Sequence, residues 1–357
     1  MLAMDAGDGW QPRRRLQLDV IRAAAILVVV ACHAGFLPPL AGNVGVTMFF
    51  ALSGFLITTL LLEEHRASGA VSLRRFYFRR ACRLFPALML FLAAMGVVTW
   101  VSQAPVVASG RDFVGAILYV GNYTTAMQGR DSAIGHTWSL AIEEQFYIVW
   151  PCVLIVVLAL GRGRFAFATL VAGLGSLTAV VLRLMLWDDG RGVLRVHFGA
   201  DTRMDGLLIG CLAALWLHTR APGRAHPWAA AGLLGLVASS SMVEDPRVAV
   251  LVLPTLVAAA TSLAIVLVAP GPAVGLFASP KLQLVGRRSY GIYLWHHPLV
   301  GGAAALAAPG RWPALLLAAL LTALVVHLSW RCVEEPFLRL KDRVGHVRAE
   351  QLEISLR

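Results

Sequence analysis

Leu18 to Leu37, LDVIRAAAILVVVACHAGFL, is an apolar run of membrane length that nonetheless carries Asp19, Arg22 and His33. Charges inside a spanning helix are expensive, so each of the three is a candidate for chemistry. Arg22 and His33 stand 11 positions apart, and at about 100° per residue that spacing closes three turns plus about 20°, placing both on one face. Along the axis they lie about 16 Å apart at 1.5 Å per residue. Asp19, one turn before Arg22, falls near the same face. A guanidinium binds phosphate bidentately, and an imidazole can take a proton from a hydroxyl near neutral pH. A linear substrate could thus be held at Arg22 and react at His33. The competing reading of His33 is a histidine bonded within a bundle or lying at the outer interface.

Five other stretches carry groups of the same kind. HTWSLAIEEQFYIVWP places Glu143 and Glu144 at the start of an apolar run near the outer surface, among Trp138, Phe146, Tyr147 and Trp150. Adjacent helix positions diverge by about 100°, so one carboxylate points inward, and Glu143 is expected to charge or orient His33. The alternative is two acids facing headgroups. DTRMDGLLIG supplies Arg203 and Asp205, with Arg183 and His197 as possible neighbours, read either as a polar mouth for an acceptor or as a mutual ion pair. RRFYFRRACRLFP sets Arg80 and Arg83 one turn apart if helical, enough to grip a polyphosphate; topology signalling or anionic lipid explains such a basic stretch equally well. GVTMFFALSGFLITTLL contributes Ser53-Gly54 near mid-depth, for close helix approach or a channel lining. GRRSYGIYLWHHPL contributes Ser289 and Tyr290 near its start and His296-His297 about half way across, one of them inward. The histidine pair is not expected to bind metal, because helix neighbours diverge and no carboxylate follows at i+4.

The elements that must position these groups are transmembrane helices. With 58% hydrophobic and only 14% charged residues, the chain is outside the range of soluble domains and is polytopic. Runs of about 20 residues predict about ten spans, at 18–37, 44–62, 84–101, 139–160, 165–187, 204–217, 228–243, 248–269, 289–307 and 312–333. Val114 to Val120 is too short to cross. Most of the 31 Lys and Arg fall in alternate loops, which places both termini in the cytoplasm and explains the net charge of +11 without nucleic acid. The five cysteines have no CxxC spacing, so neither a disulfide framework nor zinc is expected. Arg13 to Arg15 followed by Val30-Ala31-Cys32 imitates a lipoprotein leader, but Asp19 and Arg22 interrupt it, and an uncleaved first helix is simpler. The expected layout is an all-α transmembrane bundle at 18–340 between a cytoplasmic arm, 1–17, and a cytoplasmic tail, 341–357.

Taken in order, LDVIRAAAILVVVACH, GVTMFFALSGFLI, FYFRRACRLFP, HTWSLAIEEQFYIVWP, RMDGLLIG, SYGIYLWHHPL and the terminal EEP resemble the acyltransferase 3 family of integral-membrane O-acyltransferases over nearly the whole chain. The family's arginine, ten residues, histidine arrangement matches Arg22 and His33, its RxxR element matches Arg80 and Arg83, and its WSLxxEEQFY acid matches Glu143. The resemblance implies an acyl-CoA, usually acetyl-CoA, as cytoplasmic co-substrate, with no permanently bound cofactor. It implies transfer to a hydroxyl of a glycan, glycolipid or glycosylated small molecule. Arg22, Arg80, Arg83, Ser53 and Tyr290 are then expected on acyl-CoA, Arg203 and Asp205 on the acceptor, and His33 with Glu143 at the reaction. The expected location is the cytoplasmic membrane. Some relatives add a C-terminal SGNH esterase-like domain, which is not expected here. A transporter of a lipid-linked saccharide is the alternative, since it too would carry intramembrane charge.

Overall fold

The computed structural model describes residues 16–103, 108–129, 132–161, 165–188, 192–220, 224–306 and 311–340. The basic arm before residue 16 and the tail from 341 lie outside the described residues. Three long helices open the chain: α1 (Leu16–His33), α2 (Gly42–Ser68) and α3 (Leu73–Ser102). Short α4 (Gly110–Ile117) and α5 (Gly121–Gln128) lead to α6 (Trp138–Leu160), α7 (Phe165–Met185), α8 (Gly192–Phe198) and α9 (Ala200–Thr219). Then come α10 (Pro227–Ser240), α11 (Leu253–Val268), α12 (Pro280–Arg287), α13 (Ser289–His296), α14 (Gly302–Leu306) and α15 (Arg311–Ser329). Among the described residues there is no strand, and the chain is an all-α, multi-pass bundle.

All ten expected spans fall on helix, and seven segments are long and apolar enough to cross a membrane. The other three expectations lie on α9, which carries Asp201, Arg203 and Asp205, on α10 with its 14 residues, and on α13 to α14, which a π-turn interrupts. The largest difference is at α3. It begins at Leu73, so the basic RRFYFRRACRLF stretch is the first third of a continuous helix and not a surface loop before a span at 84. Ser72 caps it through a bond to the Arg75 N–H, and the apolar face of Phe76, Leu88, Phe91 and Leu92 is buried.

Helix α2 is the hub, packed against α1, α9 and α11. Gly54 explains how closely: a Cβ there would stand 1.8 Å from the Leu207 carbonyl oxygen on α9, an approach only glycine permits. A second close contact joins α12 to α1, where a Cβ on Gly286 would stand 1.7 Å from the Asp19 carbonyl oxygen. The outer helices instead present Leu170, Leu174 and Leu177 on α7 and Leu316, Leu320 and Leu324 on α15 to the surroundings, the pattern that lipid requires and water would penalise.

Three π-turns, at Val248–Val252, His297–Gly301 and Trp330–Glu334, each have a proline within or just beyond them: Pro254, Pro298 and Pro336. Proline lacks an N–H and crowds the carbonyl four residues earlier, and a locally widened turn accommodates both effects. The second of these turns shapes the site described next.

Candidate active site

Two clusters of ionisable side chains lie at opposite ends of α1. The first joins α1, α2, α3 and α6. Arg22 pairs with Asp19 at 3.4 Å. The Arg80 guanidinium donates to Glu144 at 2.9 Å and lies 3.1 Å over the Tyr147 ring, a cation–π contact. Ser53 donates to Glu143 at 3.0 Å, and the Tyr147 hydroxyl donates to the other Glu143 oxygen at 3.5 Å. Arg83, one turn beyond Arg80, is exposed, and among the described residues no carboxylate pairs with it. Tyr290 reaches across from α13 to donate to the Leu84 carbonyl at 2.9 Å, which pins α13 beside Arg83. This level therefore holds three arginines with one of them unneutralised, an arrangement suited to a phosphate-bearing ligand.

The second level surrounds His33 at the other end of α1. The ring of His296 is 5.1 Å and that of His297 is 4.8 Å from the His33 ring, centroid to centroid. His136, just before α6, stacks on His297 at 4.7 Å. Both members of the HisHis pair thus flank His33, where ordinary helix geometry expects one of them; the π-turn that starts at His297 removes the divergence. Tyr293 fixes the cluster by donating to the His136 carbonyl at 2.8 Å and bonding Ser139 at 2.7 Å. Among the described residues no group of His, Cys, Asp and Glu is arranged to hold a metal ion.

His33 also lines a cavity of about 300 Å³, whose walls include Asn43, His136, Trp138, His197 and Phe198. Trp138, His197 and Phe198 touch one another with ring centroids 4.6 to 5.2 Å apart, and Asn43 lies 3.4 Å from His197 Nδ1. Burial, and then the charge of Arg203 behind it, pushes the His197 imidazole down to about 3, so it is neutral. The cavity joins flat aromatic faces to an amide and imidazoles, a set that suits a polyol.

Two expectations from the sequence need correction. Glu143 does not reach His33, because it stands seven residues after His136, about 10 Å further along α6, and it bonds Ser53 and Tyr147 instead. Glu143 and Glu144 accordingly belong to the arginine level and not to the opposite surface. Arg203 and Asp205 do not form an acceptor mouth, being 1% and 0% exposed. Nor do they pair with each other, since positions two apart on a helix point away from one another. Asp205 accepts from buried Arg183 and from Thr255 at 2.7 Å. Arg203 donates to Thr47 at 3.2 Å and lies 6.0 Å from the Trp138 ring, behind the cavity wall. The residues that sequence reading missed are His136 and Asn43. A signal existed for His136: it stands just before a span, where a buried imidazole needs a reason.

The geometry agrees with what the comparisons find. The acyltransferase domain family matches residues 15–332. A peptidoglycan O-acetyltransferase OatA of Listeria monocytogenes is 31% identical over 343 residues, covering 89% of this chain and 55% of the relative. An O-acetyltransferase OatA of Staphylococcus aureus is 30% identical, covering 92% and 58%, and a putative O-acetyltransferase of another strain of that species is 29% identical, covering 90% and 56%. The chain thus spans a little over half the length of these relatives. No solved structure matches. With 318 consecutive positions, 15 to 332, matched, the chain belongs to the acyltransferase 3 family.

Proposed function

We propose that this protein is a membrane O-acetyltransferase that takes an acetyl group from acetyl-CoA on the cytoplasmic side and delivers it to a carbohydrate hydroxyl from the other side of a bacterial cytoplasmic membrane. The observation that carries this reading is the pairing, on one helix, of Arg22 in a three-arginine cluster with His33 on a cavity of about 300 Å³. The donor's phosphates rest on Arg83, Arg80 and Arg22, and its extended arm runs past Ser53 and Glu143 toward His33. Span and reach agree: about 16 Å separates the two levels. His33 takes the acceptor's O–H proton as general base, the alkoxide oxygen attacks the thioester carbonyl, and the departing thiolate recovers the proton from the imidazolium. Acetyl as the group and a glycan as the acceptor follow the names of the relatives, one of them a peptidoglycan O-acetyltransferase; the aromatic cavity supports a sugar ring.

The test is purified protein in detergent or vesicles with acetyl-CoA labelled in the acetyl group and a chitooligosaccharide acceptor. His33→Ala is expected to lose transfer by at least about a hundredfold while its CoA-dependent rise in melting temperature persists. Transfer at the parent rate in that variant would remove His33 from the reaction. Failure of acetyl-CoA to be consumed by the parent protein under any acceptor would favour the transporter reading.

A further inference from the structure

We infer that His296 is the positioning residue of the reaction, taking the place at His33 that a carboxylate holds in a Ser-His-Asp arrangement. The inference rests on the reading of His33 as the base and adds what fixes that base.

The proton positions follow from the acceptors alone. His33 Nδ1 stands 2.9 Å from the Val29 carbonyl oxygen. A carbonyl cannot donate, so Nδ1 carries the proton and Nε2 is the unprotonated nitrogen of the neutral ring. His296 Nδ1 faces two carbonyls, Tyr293 at 2.8 Å and Ile292 at 3.1 Å, and is protonated for the same reason. His296 Nε2 is left as an acceptor, and it lies 3.3 Å from His33 Nδ1. The His33 Nδ1–H is therefore shared between a backbone carbonyl and a second imidazole. The opposite assignment, His296 donating into His33, would set a lone pair of His33 against the Val29 carbonyl.

This places a neutral acceptor behind the base. When Nε2 takes the proton of the acceptor hydroxyl, His33 becomes an imidazolium, and its Nδ1–H bond to His296 becomes charge-assisted and stronger. The proton on Nδ1 stays there throughout: the one that moves goes from the hydroxyl to Nε2 and on to the thiolate. His296 is 0% exposed, and its ring is locked by two carbonyls on its own helix, so the acceptor lone pair needs no reorganisation when charge develops. A buried imidazole also avoids the desolvation cost of a buried carboxylate in an apolar bundle. Pro298 and the π-turn from His297 allow this ring and that of His297 to face His33 together.

The experiment compares His296→Leu with His296→Gln in the intact protein, the glutamine amide oxygen being able to accept near where Nε2 stood. His296→Leu is expected to lower kcat about 10- to 100-fold with an unchanged KM for acetyl-CoA, and His296→Gln to recover most of that loss. CoA-dependent melting of each variant establishes that it is folded. Parent kcat in the leucine variant would overturn the inference, and so would equal loss in both variants, which would mark a packing role. His33→Ala separates the two levels of the argument. If it alone is inactive, the base stands and His296 does not; if it is active, the reading of His33 fails first.

Discussion

Arg83 and Arg80 stand one turn apart on α3, and their surroundings predict different phenotypes. Arg80 is committed to Glu144 and to the Tyr147 face, so Arg80→Gln strands a carboxylate and is expected to lower the melting temperature as well as activity. Arg83 is exposed and without an ion-pair partner among the described residues, so Arg83→Gln leaves nothing unpaired. It is expected to raise the KM for acetyl-CoA about 10- to 100-fold, the loss of one charge-assisted bond, with the parent melting temperature. Titration calorimetry with CoA and with its 3′-dephospho form would show which phosphate it meets; equal affinity of the variant and parent for both would take Arg83 out of the donor site. On the cavity side, His197 is held down to about 3 by burial and Arg203, well below its ordinary 6.5. Its protonation is thus complete only in strong acid, and across pH 5 to 8 it stays neutral. His197→Asn is therefore expected to raise the acceptor KM and to leave the acidic limb of the rate profile where it was. A limb that moved with this substitution would show that His197 titrates during turnover.

Helix identity and the Arg22–His33 face were legible because a run of about 20 apolar residues has few folds open to it and helical spacing fixes direction. Less legible were the places where one helix's depth depends on another. Glu143 could be assigned to a helix but not to a level, because the level is set by Ser53 on α2 and Arg80 on α3, 90 and 63 positions away in the chain. The orientation of both HisHis rings depends on a π-turn, which reverses the rule that neighbours diverge. Close helix contacts were half legible: Ser53-Gly54 announced a small pair, and the structure uses the serine on Glu143 and the glycine against α9. Gly286 is the sharper test at this scale, since the atom it spares is the Asp19 backbone oxygen on α1. Backbone cannot swing aside like a side-chain tip, so Gly286→Ala must push α12 off α1 and tilt the turn bearing Asp19 and Arg22. An overpacking cost of about 1–3 kcal/mol is expected, read as a lower melting temperature together with a raised KM for acetyl-CoA. A variant with parental melting would mean that the two helices already part easily.

Along α1 the two polar levels are separated by apolar side chains. Between Arg22 and His33 on their shared face stand Ile26 and Val29, both 1% exposed, in an apolar cluster with Phe50, Trp138 and Tyr293, against which Phe49 and Ile292 pack. Under the proposed function this belt makes the reaction sided: the charged nucleotide of acetyl-CoA would stay on the arginine side, and only its thin, uncharged pantetheine arm would pass between the side chains. In vesicles with the protein in one orientation, acetyl-CoA is therefore expected to support transfer only when supplied on the face bearing Arg74 and Arg75. A membrane-impermeant sugar acceptor should work only from the face bearing the His33 cavity. Phe49 packs against the belt from α2, half-buried and 6.4 Å from the Tyr293 ring. Phe49→Trp adds bulk at that one level, so it is expected to depress kcat while CoA binding at the arginines is retained. Transfer with both substrates on one face would show that the belt is not a barrier, and the donor would then have to reach His33 by the acceptor's own route.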